Sequence, residues 1–472
     1  MSFGVLIVGD NRQNELISEF FERQGYEVST LDVETLRSLE GEAADFYVIT
    51  KQQSAMRAEF VILTGQPATK PVVSGGLQTF SVYDEAERVI ESKADRDKAI
   101  VFLLDYIVES PAAATIYALK QAVSLARAKH PVYYFSKFVR TAESGAELLY
   151  RGAREAGVTF VKYETLCLEG DEDSGKFTIK ASDGVFDVEL QSKSVFADGG
   201  TDTGGKFAEA CKKLKLTTDE SGNIAQEEYF VSPAHTSRRG VYYLSRDIFV
   251  SNPEKTLKYI VNRHTNADWK RAAQNVAVVE GDKCVLCLNC VRACTHAALS
   301  PDNKVRQMRV FTYACEGCGS CVSVCPSNAI ILENHAACKP KSEKSDKILA
   351  LCCENSAAIA MEKALLMLGE KAAIFETISV PCGGRIRSEG LLRHLHSSGK
   401  VLSAVCMDGA CRHFSGDKRA CKQTESVKNM LETAGILPDC VHFIRTSHVM
   451  PGVLHDELIE LIKDWQKGRS SA

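Results

Sequence analysis

The chain has little to mark it for a membrane, a nucleic acid or export. Its longest apolar runs, such as AIVFLLDYIV at 99–108, are strand-sized and broken by charge, so no bilayer span is expected. There is no basic excess: 57 Lys and Arg against 61 Asp and Glu leave a net charge of −4, which gives no electrostatic ground for a nucleic-acid partner. The first nine residues lack a basic segment and carry too short an apolar run for a signal peptide. Walker loops, nucleophile–base pairs and zinc-hydrolase motifs are missing. What is left is an ordinary composition over 472 residues, 45% apolar and 25% charged, long enough for two to four domains with their own cores.

Glycine is missing where it would matter most. VLIVGDNRQNE (5–15) has the strand–turn–helix start of a dinucleotide-binding fold, whose G-x-G-x-x-G turn lets backbone approach a pyrophosphate. Only Gly9 is present. Asn11 and Asn14 stand at the second and third glycine positions, and Asp10 adds negative charge. Asp32 or Glu34, after the next strand, is the acid that would meet a ribose. A scaffold that has lost its nucleotide is the favoured reading. FAD, with Gly9 facing it, is the lesser alternative.

Cysteine is scarce and then abundant. Only Cys167 and Cys211 precede residue 284, while sixteen of the eighteen follow. Disulfides in a chain without an export signal have no reason to crowd in this way, whereas metal clusters do. The expectation is a reducing cytoplasm, with membrane association only through partners.

The chain divides by composition. Residues 1–265 alternate β-rich runs (VLIVG, FVILTG, IVFLLDYIV, VYYFSKF, VTFVKYE, SVFADGG, VYYLSRD) with helical patterns, predicting an α/β, Rossmann-like, degenerate FAD/NAD(P)-binding-like domain. Residues 266–335 are cysteine-dense and internally repeated at 31 positions. Residues 336–346 are a polar, lysine-rich linker. Residues 347–472 read strand–helix four times over, predicting a small parallel α/β domain.

CVLCLNCVRAC (284–294) and CEGCGSCVSVC (315–325) share the spacing C-x2-C-x2-C-x3-C of bacterial two-cluster ferredoxins. In that pattern three close thiolates wrap one cube and the fourth reaches the other. The assignment is Cys284, Cys287, Cys290 and Cys325 to one [4Fe–4S] cluster, and Cys315, Cys318, Cys321 and Cys294 to the second. Thr295 replaces the proline usual after the fourth cysteine, and Leu286 and Asn289 are read as replacing glycines of the second copy. A zinc ribbon is the weaker alternative.

In the last segment Cys352, Cys353, Cys382 and Cys406 fall at strand ends, with Cys411 in the following loop. Carboxyl ends of neighbouring parallel strands share one edge, so these thiolates can hold a [2Fe–2S] cluster or a zinc ion, or can be structural core cysteines. Gly383 and Gly384 are expected to let backbone approach the site. Cys167, Cys211, Cys338, Cys421 and Cys440 read as packing residues, and His394 and His396 as a solvated face.

The segment LCCENSAAIA…VPCGGRI…VCMDGACRHFSGDKRA resembles the delta subunit of methyl-viologen-reducing hydrogenase, an iron–sulfur family. That resemblance implies one [2Fe–2S] cluster on Cys353, Cys382, Cys406 and Cys411, with Cys352 in reserve. Arg412 departs from it, since the family usually has histidine directly after the last cysteine. Upstream, VYYFSKFVRTAESGAELLYRGAREAGVTFVKYE and KSVFADGGTDT resemble the flavoprotein subunit of heterodisulfide reductase. The fused order is similar to that of an iron–sulfur flavoprotein of the quinone-interacting oxidoreductase complex. These resemblances imply an electron-transfer subunit in a complex with heterodisulfide-reductase-like, hydrogenase- or formate-dehydrogenase-like, or flavoprotein partners, which would carry the substrate chemistry. A flavoenzyme, bifurcating or not, and a structural adaptor with fold-stabilising clusters are the rival readings.

Overall fold

The computed structural model describes residues 4–9, 14–65, 69–93, 99–141, 145–200, 205–219, 222–225, 234–244, 253–265, 275–332 and 347–470. Asp10, Asn11, the 336–346 linker and Cys338 lie outside these.

The stretch 1–265 builds two main sheets, the first mixed and the second parallel. In the first, Gly4–Val8 lies between Val28–Leu31 and Ala55–Thr64, parallel to both, and Asp45–Thr50 and Leu36–Glu42 extend it antiparallel. Val5 to Val8 are almost wholly buried, as expected for a β-branched run covered on both faces. The chain then leaves for a second sheet, in the order Thr159–Lys162, Val132–Ser136, Ile100–Leu103, Ser194–Ala197, Phe80–Ser81. The helix Ala112–Arg127 covers it through Ala114, Ala118 and Ala122, one residue per turn, small enough to let the helix sit close. Thr165–Asp171, Lys176–Ser182 and Asp187–Ser192 form an antiparallel side sheet. The chain finally returns to the first sheet as Val241–Leu244, with Val241 opposite Val61.

Arg238, just before that returning strand, is 1% exposed. Its guanidinium donates to the carbonyls of Leu39 (3.1 Å), Leu214 (2.9 Å) and Gly41 (2.9 Å) and stacks over Phe46. Burial lowers its pKa to about 10. This one side chain closes three backbone acceptors from two segments, the strand Leu36–Glu42 and the helix Gly205–Leu214. Arg238→Met keeps the volume but orphans those carbonyls, and a loss of about 2 kcal/mol in urea unfolding is expected.

The ferredoxin-like segment pairs Ala277–Val279 with Ile330–Leu332 and Leu299–Asp302 with Gln307–Val310, and each cysteine motif carries a short helix, Asn289–Ala293 and Ser320–Ser323. The C-terminal domain is a four-stranded parallel sheet in the order Phe375–Val380, Ile348–Cys353, Val401–Val405, Val441–Arg445, with the helices Ala357–Leu368, Ser388–Ser398, Gly416–Thr433 and Pro451–Ser470. Among the described residues, no helix is long and apolar enough to cross a membrane.

Candidate metal centres

In the ferredoxin-like segment the two motifs adopt one backbone course. Gly317 and Gly319 take positive φ (67° and 79°), and their counterparts are Leu286 and Leu288 (52° and 63°). The position equivalent to the second glycine is therefore Leu288, and not Asn289 as the sequence suggested. Asn289 instead starts a helix and accepts from Arg292. Holding leucine in the left-handed region costs about 1–2 kcal/mol per residue, so the turn is imposed by its surroundings. The fourth cysteine of each motif is held alike: Ala298 N donates to Cys294 Sγ (3.3 Å) and Ala329 N to Cys325 Sγ (3.2 Å). Cys290 lies in the field of Cys284 and Cys287, and Cys294 in that of Cys318 and Cys315, so the fourth thiol of the first motif sits with the second triplet. Cys287 is exposed, whereas Cys315, Cys321 and Cys325 are buried.

The C-terminal sheet gathers four sulfurs at its carboxyl edge. Cys353 Sγ is 3.5 Å from Cys406 Sγ, Cys382 Sγ is 3.9 Å from Cys411 Sγ, and Cys406 also contacts Cys411. Two thiolates on one tetrahedral metal, each bonded at ~2.3 Å, stand ~3.8 Å apart, so each pair has the reach of one metal atom. The sulfur contacts with Cys382 and Cys406 hold the Cys411 thiol far below its usual range. The contact with Cys406 likewise lowers Cys353, while Cys382 and Cys406 themselves are raised.

Cys352 points away, as strand alternation requires. It lines an apolar groove with Met361, Leu365 and Thr377, and burial pushes its thiol up to about 12.

The Gly384 backbone N–H reaches Cys382 as expected, and packing explains both glycines further. A Cβ on Gly383 would meet Val405 Cγ1 at 2.7 Å and the Gly416 carbonyl at 3.0 Å, and one on Gly384 would strike Ser320 of the ferredoxin-like segment. A further glycine that lets backbone reach sulfur is Gly416, which no sequence pattern marks. Its N–H donates to Cys411 Sγ (3.2 Å), and a Cβ there would fall 3.1 Å from that sulfur and closer still to Cys382 Sγ.

Two histidines that sequence reasoning passed over lie between the cysteine groups. His296 Nε2 and His413 Nδ1 are 3.1 Å apart, both rings are buried, and their ligand atoms and Cys318 Sγ lie within 4.8 Å of one another. Burial lowers both imidazoles, His413 to about 4. Thr295, the departure from proline, donates its hydroxyl to the His413 carbonyl (3.2 Å), and its own carbonyl accepts from Thr217 (3.2 Å). Proline could make the second bond but not the first. Arg239 and Glu316 (2.5 Å) and Arg419 with the Ala293 carbonyl (3.3 Å) add further ties between the three parts.

Of the remaining cysteines, Cys211 is buried in the first core as expected. Cys167 is exposed rather than packed, and Cys421 and Cys440 are half-buried. His394 is buried and His396 exposed, so the solvated face holds only for the second.

The nucleotide clefts contain this chain's own side chains. Gly9 (φ 132°) is needed for packing, since a Cβ would meet the Thr64 carbonyl at 2.5 Å. Asn14 Nδ2 donates to the Gly9 carbonyl (2.7 Å) and Asn14 Oδ1 accepts from the Thr64 hydroxyl (2.9 Å), clamping the turn. The open cleft there, about 610 Å³, is lined by Glu15, Glu19 and Asp32 with no Lys or Arg among its described residues. Glu34 is spent on Lys206 (2.7 Å). In the second sheet Asp105, 4% exposed, accepts from the backbone N–H groups of Ser110, Lys137 and Phe138 and from Arg140. Asp198 stands buried at the end of the next strand. Among the described residues, carboxylates line or occupy both clefts, which disfavours an anionic group there.

Residues 348–466 match the family of the methyl-viologen-reducing hydrogenase delta subunit, and residues 277–326 match the 4Fe-4S dicluster domain. The archaeal-type glutamate synthase [NADPH] of Thermotoga maritima is 35% identical over 68 residues, 14% of this chain and 13% of that protein. An equal match is found in Thermotoga sp. strain RQ2. Among solved structures, T. acidophilum thioredoxin reductase is similar at 14% identity, covering 56% of this chain and 99% of that one with a TM-score of 0.38. Thioredoxin reductase from Giardia duodenalis gives 14%, 56%, 98% and 0.29. The two family matches fall on the two cysteine-bearing segments: the chain carries a 4Fe-4S dicluster domain and, after it, a domain of the methyl-viologen-reducing hydrogenase delta-subunit family.

Proposed function

We propose that the chain is the electron-relay subunit of a heterodisulfide-reductase-like complex, holding two [4Fe–4S] clusters and one [2Fe–2S] cluster and no flavin. Cys284, Cys287, Cys290 and Cys325 hold the first cubane, and Cys315, Cys318, Cys321 and Cys294 the second. Cys353, Cys382, Cys406 and Cys411 hold the [2Fe–2S] cluster. Clusters of these types supply one-electron redox centres whose potentials follow burial and hydrogen bonds to sulfur. The domains follow the boundaries read from composition, with two nucleotide-type lobes inside 1–265 serving as a platform.

The observation that carries this reading is the juxtaposition of Cys318 with His413, two residues from Cys411. It makes the second ferredoxin group and the C-terminal group neighbours in one row. At the far end of that row Cys287 is exposed, which gives a redox partner access. Absence of a nucleophile–base pair and the acid-lined clefts support placing substrate chemistry on partner subunits.

Cys382→Ser in the anaerobically purified chain tests the ligand set. Its [2Fe–2S] EPR signal is expected to vanish while both [4Fe–4S] signals persist, with iron and sulfide falling by one [2Fe–2S] equivalent. Zinc in place of that iron in the wild type would make the C-terminal site structural, and extractable FAD would overturn the empty-platform reading.

A further inference from the structure

The relay reading names the cysteines but leaves unexplained why two imidazoles and a threonine fill the space between the two neighbouring groups. His296 follows Cys294 by two residues and His413 follows Cys411 by two. His296 Nδ1 lies 2.9 Å from the Ser237 carbonyl, which can only accept, so that nitrogen carries the proton. In the neutral ring Nε2 is then an acceptor, and His413 must donate to it from Nδ1. The rings meet edge to face, 5.3 Å between centroids and 88° between planes. A second bond, from the Thr295 hydroxyl to the His413 carbonyl, runs beside the first. The segments 294–296 and 411–413, 117 residues apart in sequence at the histidines, are thus stitched by two hydrogen bonds directly next to a cysteine of each group.

We propose that this stitch is the electron bridge between the second ferredoxin group and the C-terminal group, with His413 and Thr295 as its positioning residues. The inference rests on the ligand reading given above. A route through covalent bonds and two short hydrogen bonds couples two redox centres more strongly than the same distance through empty space. In the step, one electron leaves the cluster on one side, which is oxidised, and arrives at the cluster on the other, which is reduced. No proton moves, since each imidazole holds one before and after. A structural latch alone would need neither the fixed tautomers nor placement beside both cysteines.

The test uses the full chain with its clusters, purified anaerobically. The readouts are iron and sulfide content, the EPR splitting between the two neighbouring reduced clusters, and the internal transfer rate after flash reduction. His413→Leu is expected to keep all clusters but slow internal transfer about tenfold, the lower end of what outer partners of metal ligands carry. His413→Asn, whose Nδ2 stands where the imidazole Nδ1 does, is expected to recover most of that rate. Thr295→Val removes only the second bond and is expected to slow transfer by a smaller factor, and it decides the matter should His413→Leu lose its cluster. Wild-type rates in fully loaded His413→Leu, or in Thr295→Val if that variant alone is loaded, overturn the bridge and leave the ligand reading standing. A wild-type chain without iron on the C-terminal cysteines overturns the ligand reading itself.

Discussion

Replacing Gly416 by alanine is expected to strip the C-terminal cysteine group of its cluster while both ferredoxin-like groups stay loaded. Gly416 opens the helix Gly416–Thr433 and carries no ligand atom, so by helix propensity alone alanine would be neutral or slightly favourable. The packing around it reverses that sign. The new methyl group would stand 3.1 Å from Cys411 Sγ and closer to Cys382 Sγ, against a comfortable contact of ~3.5–4.0 Å. It would also meet the Gly384 N at 3.1 Å, so neither the sulfurs nor the turn at 383–385 can yield freely. Either the sulfurs separate or the helix start withdraws its N–H from Cys411. Both outcomes spoil a four-thiolate group whose pairs now stand 3.5 and 3.9 Å apart. Iron and sulfide quantitation with EPR of the reduced protein reads the result. A fully loaded variant would mean that the sulfurs do not set the shape of this helix start.

The same residue shows where sequence reasoning reached and where it stopped. That Cys352, Cys353, Cys382, Cys406 and Cys411 would gather near one edge was legible from strand ends and the loop after the third strand, while the choice of four among them came from the family resemblance. Gly416 was not legible, because a glycine among DKRACKQ reads as a helix start and its role lies in what crosses above it. Hubs made of distant residues leave no local mark at all. His296 and His413 belong to separate motifs, and no spacing rule links them. The return of Val241–Leu244 to the first sheet was equally hidden, because its partner is Ala55–Thr64. Some misses were avoidable. In the helix Ser388–Ser398 the buried positions Leu391, His394 and Ser398 follow the i, i+3, i+7 spacing of one face, so His394 belonged to the core side from the start. Leu288 could likewise have been found by aligning the two motifs position by position, which puts it opposite Gly319.

Asp105→Ala is expected to be the most destabilising single change in the N-terminal part, by on the order of 4 kcal/mol. The reasoning starts from position. Asp105 follows the strand Ile100–Leu103 in a left-handed conformation (φ 62°) that aspartate tolerates better than most residues. Its carboxylate then collects four donors: Oδ1 takes Ser110 N and Arg140 Nη1, both at 2.9 Å, and Oδ2 takes the N–H groups of Lys137 (3.1 Å) and Phe138 (3.2 Å). Those groups come from the loops after two neighbouring strands, so one side chain ties together the carboxyl edge of the second sheet. It does there what a bound anion does in a nucleotide-binding lobe. Alanine would leave three N–H groups unpaired and Arg140 with only the exposed Glu109 at 2.6 Å. Asparagine keeps one acceptor oxygen but turns an amine toward backbone donors, and should lose about half as much. Urea unfolding gives the magnitudes, and hydrogen exchange should locate the loosening at residues 104–111 and 137–141. Iron content should not change, since none of these partners lies in a cysteine-bearing segment. Sulfate should recover stability in Asp105→Ala beyond any general salt effect on the wild type, because the vacated donors would again face an anion. Equal responses in both proteins would show that the carboxylate only braces the loops.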